Sequence, residues 1–184
     1  KYLLPLKSKI LLRENAKEIN LKELDLNTYK IIHFATHGEI SGAIAGINEP
    51  FLVLSPPTGS STEDGLLTMS EIMSLDTNAN LIVLSACNTA SGDEAGSEGF
   101  SGLAKSFFMS GSKSVLVSNW YVETYSAKEL VINLFKNLKN NPNSSISNGL
   151  NMTMLNMSKN EKDRSHPMFW APFVVVGKNE SLFF

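Results

Sequence analysis

The sequence of 184 residues contains only one cysteine, Cys87, and this scarcity excludes two ways of stabilising a fold. A lone cysteine cannot form an internal disulfide, and it cannot build a zinc cluster that needs several thiolates. Most free cysteines are small buried apolar side chains, so composition alone favours a structural role for Cys87. The alternative stays open, because a single cysteine with a histidine elsewhere in the chain is also the pair from which cysteine nucleophiles are built.

Long apolar runs and basic clusters are also missing. No apolar run approaches the roughly 20 residues that cross a bilayer, so we expect no membrane partner. The net charge is −2, and the most basic stretch, 159–162, is interrupted by an acid, so we expect no nucleic acid partner for this domain. The first residue is Lys1 rather than Met, and we expect the chain to be the C-terminal part of a longer cytoplasmic protein.

Apolar residues are present in the proportion of one globular domain. Hydrophobic residues make up 42% of the sequence and charged residues 18%, which is enough apolar surface for a core and argues against global disorder. The length fits one domain over 1–184 rather than two.

Apolar runs alternate with helical patterns along the chain. Four segments are predicted to be strands, the first of them covered on both faces: 30–36, 80–86, 114–120 and 170–177. A β-hairpin with a long loop is predicted from 51–55 and 65–69. Helical patterns fill the remaining intervals, at 17–29, 70–75, 97–111, from residue 126 and around 146–157. This alternation predicts an α/β fold, with a mostly parallel sheet, helices on both faces and a β-hairpin insertion.

Three residue patterns mark helix ends. Ser70 is predicted to cap the helix at 70–75. Ser126 and Glu129 have the spacing of a capping box for the next long helix. Gly111 is predicted to end the helix before it.

The ends of two predicted strands carry His37 and Cys87. If these strands are parallel neighbours, as we expect, both residues leave the same edge of the sheet, where binding and chemistry collect in such folds. An imidazole there can take the thiol proton or stabilise the thiolate, which is the reactive form. The backbone N–H groups of Gly38 and Cys87 are candidate donors to an oxyanion. The pattern therefore indicates a Cys-His catalytic dyad.

Several motifs together extend this interpretation over most of the chain. They are "HFATHG", "DGLLTMSEI", "LIVLSACNTASG", "GFSGLAKSFFMSGSKSVLVSNWYVE" and "HPMFWAPFVVVG", in that order between residues 14 and 178. This set resembles the CHAT domain, a caspase-like family closest to separases, and the separation of 50 residues from His37 to Cys87 matches the spacing in caspases. The chain departs from the usual patterns at Ser85, Asn88 and 120–125.

The resemblance implies a fold and an activity. The fold is a caspase–hemoglobinase-like three-layer sandwich, and the activity is that of a cysteine endopeptidase with His37 and Cys87 as its dyad. A protein or peptide is the implied substrate, no cofactor or metal is needed, and an N-terminal tetratricopeptide repeat domain of the same chain is the implied partner. Four residues are expected to line the substrate pocket, where an acid would accept a basic side chain: Asn88, Asp93, Trp120 and Glu123. The alternative for each is an ordinary surface or packing role.

Two further patterns of histidines and glycines could indicate other kinds of site. His33 and His37 are four residues apart, but on a strand and without a matching carboxylate this spacing favours a core or supporting role for His33 over metal binding. Gly96, Gly99 and Gly102 precede a helix, and close packing explains them better than a phosphate site. Two rival functions remain, a catalytically inactive caspase-like interaction module and a nucleotide-binding regulator.

Overall fold

The structure is a computed structural model that describes residues 8–59, 62–85, 102–160 and 164–182. Its larger sheet has four strands, in the order β1-β5-β6-β7. These are β1 (Ile31–Phe34), β5 (Leu81–Leu84), β6 (Ser114–Ser118) and β7 (Phe173–Gly177). The first three are parallel and β7 is antiparallel to β6. The prediction of a mainly parallel α/β sheet is therefore confirmed, with one reversed strand.

The reversal of β7 follows from the two helices that precede it. Among the described residues between β5 and β6, the chain forms helix α3 (Gly102–Met109). By contrast α4 (Thr124–Asn140) and α5 (Ile146–Asn160) pack against each other between β6 and β7. One helix returns the chain to the edge where the previous strand began and gives a parallel strand. A second helix takes it back across the sheet, so the next strand runs in the opposite direction.

A smaller antiparallel sheet adjoins the first. It contains β2 (Gly38–Glu39), β3 (Phe51–Val53) and β4 (Leu66–Thr68), in that order. The β3–β4 pair is the hairpin that the sequence predicted, and it leads directly into α2 (Met69–Ser74).

Two apolar clusters cover the two faces of the larger sheet. On one face Ile82 and Leu84 pack with residues of α3, and on the other Leu81 and Val83 pack with residues of α4 and α5. All four side chains are fully buried, and burial of a leucine-sized side chain contributes about 1.5–3 kcal/mol. Strand β1 lies at an edge of the described sheet. Phe34 is buried in one cluster and Ile31 packs against the other, but His33 is exposed, so the expected cover of both faces is only partial.

The glycine before α3 is explained by packing. A Cβ on Gly102 would lie 2.7 Å from the Met69 sulfur and 3.3 Å from Pro50. This contact supports close packing over a phosphate site at this position. Gly96 and Gly99 lie outside the described residues.

The helix ends correct two predictions and confirm a third. Thr68, not Ser70, is the N-cap of α2, because its side chain accepts from the Glu71 N–H while Glu71 accepts from the Thr68 N–H. Helix α4 begins at Thr124, so Ser126 already lies in its first turn and makes no capping box with Glu129. Gly111, with φ of +106°, ends α3 as predicted.

The short helix α1 (Glu18–Lys22) is tied to the hairpin through a cluster of charges. The Lys22 ammonium lies 2.5 Å from Glu63 and 2.8 Å from Glu71. It also lies 2.9 Å from Oε1 of Glu18. Glu18 is only 1% exposed, and its other oxygen accepts from the Gly65 N–H at 2.9 Å. We call these residues, Glu18, Lys22, Glu63 and Glu71, the Lys22 cluster.

Burial and hydrogen bonding act in opposite directions on the pKa values of this cluster. Burial disfavours the charged form of Lys22, but the bonds to Glu63, Glu71 and Glu18 outweigh it and raise the pKa of Lys22. Burial raises the pKa of Glu18. The hydrogen bond from Lys22 lowers the pKa of Glu63. At Glu71 burial acts to raise the pKa, but the hydrogen bonds from Lys22 and Thr68 outweigh burial and lower it.

The Lys22 cluster predicts a pH-dependent stability. Lys22→Met is expected to lower the free energy of unfolding at pH 7 by roughly 2–4 kcal/mol, because it leaves three carboxylates without their cation. In the native chain Glu63 and Glu71 have lowered pKa values, so their contribution is present above the ordinary pKa of 4.5 and lost as the pH falls below it. In the variant we expect protonation to relieve the mutual repulsion of the carboxylates as the pH falls.

The difference between the two proteins should therefore shrink from pH 7 to pH 4. Urea unfolding at both pH values measures it. Lys178→Met, which removes an exposed cation 3.7 Å from Glu180, is the control and should change little. A loss that is the same at both pH values would contradict the electrostatic explanation.

Candidate active site

The chain passes from the larger sheet to the smaller one at His37. After β1 ends at Phe34, the Thr36 hydroxyl donates to the Val53 carbonyl. The Val53 N–H in turn donates to the His37 carbonyl at 2.8 Å, and Gly38 begins β2 opposite Leu52. The backbone of His37 is thus held by β3, while its side chain is exposed.

The parallel pairing of β1 with β5 brings the two predicted strand ends together. Phe34 is the register partner of Leu84, and the Ser85 N–H donates to the Phe34 carbonyl at 2.9 Å. The expectation that these strands are parallel neighbours is confirmed. Cys87, Asn88 and Asp93 lie outside the described residues, so the dyad and this part of the pocket remain predictions.

A hydrogen bond that the sequence analysis did not predict lies beside the end of β5. Nε2 of His33 is 2.7 Å from the Ser85 hydroxyl. The two residues are diagonal neighbours, because His33 is the register partner of Val83. His33 is exposed, so of the two roles expected for it, core or supporting, the bond to Ser85 fits the supporting one. The protein atoms around the ring nevertheless lower the pKa of His33 by desolvation.

The segment that follows β6 carries the other predicted pocket residues. Trp120 is 43% exposed, and its indole N–H donates to the Met168 carbonyl at 3.3 Å. Glu123 is the N-cap of α4, and its carboxylate accepts from Ser126 at 2.8 Å. Arg164 donates to both oxygens of Glu123, from Nε at 3.2 Å and from Nη2 at 3.5 Å. The bonds from Arg164 and Ser126 lower the pKa of Glu123.

Arg164 is held by an aromatic ring as well as by the acid. Its guanidinium carbon lies 4.2 Å from the centre of the Tyr125 ring, which is within the range of a cation–π contact. The acid that the sequence offered as an acceptor for a basic substrate side chain therefore already binds an arginine of the same chain.

The described residues place no metal site at His33 and His37. Within this part of the chain the one group of potential ligands close enough to share an ion is Glu18, Glu63 and Glu71. Lys22 supplies the positive charge between them. Two surface concavities of about 660 and 570 Å³ flank this cluster, and neither is lined by a predicted site residue.

The comparison with known families decides the identity of the domain. The model of the CHAT domain family matches residues 3–178. The chain belongs to the CHAT domain family. The resemblance noted in the motifs is thereby confirmed, and the observed mainly parallel α/β architecture is compatible with the caspase-like fold of that family.

Two curated relatives are large repeat proteins. This CHAT domain is 32% identical over 117 residues to tetratricopeptide repeat protein 28 of Mus musculus and 29% identical to the same protein of Homo sapiens. The match covers 64% of the chain and 5% of each relative. Among the described residues, no helix combines the length and apolarity needed to cross a bilayer.

The sequence did not predict two contacts of the CHAT domain. These are the hydrogen bond of His33 to Ser85 and the ion pair of Arg164 with Glu123. The period of two along a strand puts His33 on the same side as residue 31, and a register assumption would have brought it near Ser85. No local pattern marked Arg164, which lies 41 positions from its partner Glu123.

The desolvation of the His33 ring leads to a testable prediction. Its NMR titration midpoint is expected below the ordinary value of 6.5, with assignment by comparison with His33→Gln. Because the native pKa is lowered, the unfolded chain binds more protons, and stability should fall as the pH drops through 6.5. His33→Gln should remove this part of the pH dependence. A midpoint at or above 6.5 would contradict the desolvation of the ring.

Proposed function

We propose that this CHAT domain is a cysteine endopeptidase that uses His37 and Cys87. The observation that carries the proposal is the register of β1 and β5. Phe34 and Leu84 are partners, and His37 and Cys87 each follow this pair by three residues. Neighbouring strands are about 4.8 Å apart, so equal distances beyond a register pair favour a short separation of the two side chains.

The chemistry follows from these two groups. His37 accepts the thiol proton, and the Cys87 thiolate attacks the carbonyl carbon of a peptide bond. The N–H groups of Gly38 and Cys87 stabilise the oxyanion of the tetrahedral intermediate. Its collapse breaks the C–N bond as His37 protonates the leaving amine. Water then hydrolyses the thioester and restores the thiol, so no cofactor or metal takes part.

The fold and the relatives support two further parts of the proposal. Apolar clusters on both faces of the larger sheet support a three-layer caspase–hemoglobinase arrangement over 1–184. The two relatives are named for tetratricopeptide repeats, so we propose that repeats precede this domain in the full protein and control its activity. The substrate is a partner protein, and the site of action is the cytoplasm.

The proposed substrate pocket combines described and undescribed residues. Trp120 forms one wall after β6, and Asn88 and Asp93 belong to the segment after Cys87. Glu123 contributes through its pair with Arg164, which neutralises the acid unless a substrate cation displaces the arginine. The pair is half-exposed, and water and salt screen such ion pairs, so a substrate cation can displace the arginine at little cost.

The dyad is tested with a thiol-reactive peptide probe. Cys87→Ala is expected to abolish labelling and cleavage, and His37→Ala to slow them by roughly 10³-fold or more, because the thiol loses its base. His166→Asn is the control, since His166 accepts from the Met168 N–H in a turn and its replacement should leave both rates unchanged. Cleavage of a partner protein that persists in Cys87→Ala would disprove the proposal.

The ion pair between Glu123 and Arg164 leads to a prediction about substrate preference. Arg164→Ala is expected to raise kcat/KM for probes with arginine before the cut relative to probes with leucine, because the Glu123 carboxylate then becomes available to the substrate cation. The double variant Arg164→Ala with Glu123→Gln should lose this gain. An unchanged ratio in Arg164→Ala would mean that Glu123 lies outside the pocket.

A second candidate function is that of an inactive interaction module. It is favoured by the exposed aromatic residues after β6, where Trp120 is 43% and Tyr121 65% exposed, since aromatic residues are enriched in the cores of protein interfaces. The probe experiment separates the two functions. A module that only binds would retain partner binding in Cys87→Ala and show no labelling that depends on His37.

A further inference from the structure

We propose that Lys22, acting through strand β3, is a positioning residue for His37 and couples the N-terminal segment 11–22 to the catalytic base. The inference rests on the proposed function in one respect, the role of His37 as the base. The mechanical connection itself is made of contacts that can be measured without any activity.

The first step of the connection is the attachment of His37 to β3. Val53 donates its N–H to the His37 carbonyl, and its own carbonyl accepts from the Thr36 hydroxyl. The residues before it in β3, Phe51 and Leu52, are fully buried. A shift of β3 would therefore move the backbone of His37 with it rather than be absorbed by a loose loop.

The second step attaches the same stretch of chain to the N-terminal segment. Ser55, two residues after Val53, donates its N–H to the Ala16 carbonyl at 2.8 Å. Its hydroxyl also donates to the Arg13 carbonyl at 2.5 Å. Only Leu54 separates the residue that holds His37 from the residue that holds the N-terminal segment, and the Leu54 N–H donates to the Gly65 carbonyl at 2.8 Å.

The third step is the Lys22 cluster, which fixes the other side of the hairpin loop to α1. Glu63 and Gly65 lie at the end of that loop, and Glu71 lies in α2 just after β4. Lys22 binds both acids, and Glu18 binds the Gly65 N–H. Without the ammonium the three carboxylates repel one another, and the loop and α1 separate at the point where Gly65 pairs with Leu54.

Lys22 does not contact the substrate in this arrangement, so its replacement should affect kcat and KM differently. Misorientation of a base costs turnover more than substrate binding, because the reacting groups must align closely in the transition state. We expect Lys22→Met to lower kcat with little change in KM. Lys22→Arg keeps the charge and should restore turnover, which a purely steric role of the lysine would not predict.

The decisive experiment measures the two ends of the connection in the folded protein. Hydrogen exchange of the Val53 N–H reports the bond to His37, and NMR chemical shifts report the His37 ring. In Lys22→Met we expect Val53 exchange to accelerate roughly tenfold or more relative to the amides of β5, and the His37 signals to shift. Lys22→Arg should resemble the native protein, and so should the exposed-cation control Lys178→Met.

Two outcomes would overturn the proposal. One is a folded Lys22→Met with native Val53 exchange and native His37 signals. The other, should Lys22→Met fail to fold, is the absence of any acceleration at Val53 in the milder variants Glu63→Gln and Ser55→Ala, in which we expect smaller changes of the same sign. These readouts are independent of proteolysis. If Cys87→Ala retained cleavage while the coupling was observed, the proposed function would fail and the connection from Lys22 to His37 would stand.

Discussion

The parallel pairing of β1 with β5 is the interaction on which the candidate site depends. Strand β5 consists of Leu81–Leu84, all fully buried, and apolar clusters on both faces fix which side chain points where. A slip of one residue in the pairing would turn every side chain of β1 to the opposite face and remove Phe34 from the core. The register therefore sets the position of residue 85 beside residue 34, and with it the start of both loops that carry the predicted dyad.

His37 occupies a position that neither sheet could create alone. The larger sheet brings the chain to the edge where β5 also ends, and the smaller sheet captures it immediately afterwards through Val53. A residue held from both sides keeps its backbone fixed while its side chain stays exposed. This combination suits a catalytic base, which needs both access to a substrate and a defined orientation.

The Lys22 cluster and the pair of Glu123 and Arg164 are ion-pair networks with different surroundings. The Lys22 cluster includes a carboxylate that is almost fully buried, so the loss of its cation has a large effect on the fold. The pair of Glu123 and Arg164 is half-exposed and near the end of β6, where a change alters the local charge more than the stability. The first network thus belongs to the framework that carries His37, and the second to the proposed substrate surface.

Local sequence patterns were sufficient for the elements and insufficient for their ends and contacts. Apolar periodicity located β5, the hairpin and the helices, because burial repeats with the period of each element. The caps were wrong at Ser70 and Ser126, since hydroxyl and acidic residues crowd these helix starts and only the backbone geometry selects the one that caps.

The order of residues was enough to define the apolar strands, the α/β class and the CHAT family, since these follow from apolar patterns and short motifs along the chain. Tertiary structure alone decided the edge position of β1, the reversal of β7, and the contacts of His33 with Ser85 and of Arg164 with Glu123. Those two pairs are 52 and 41 positions apart, and their contacts depend on how whole elements pack rather than on any local pattern.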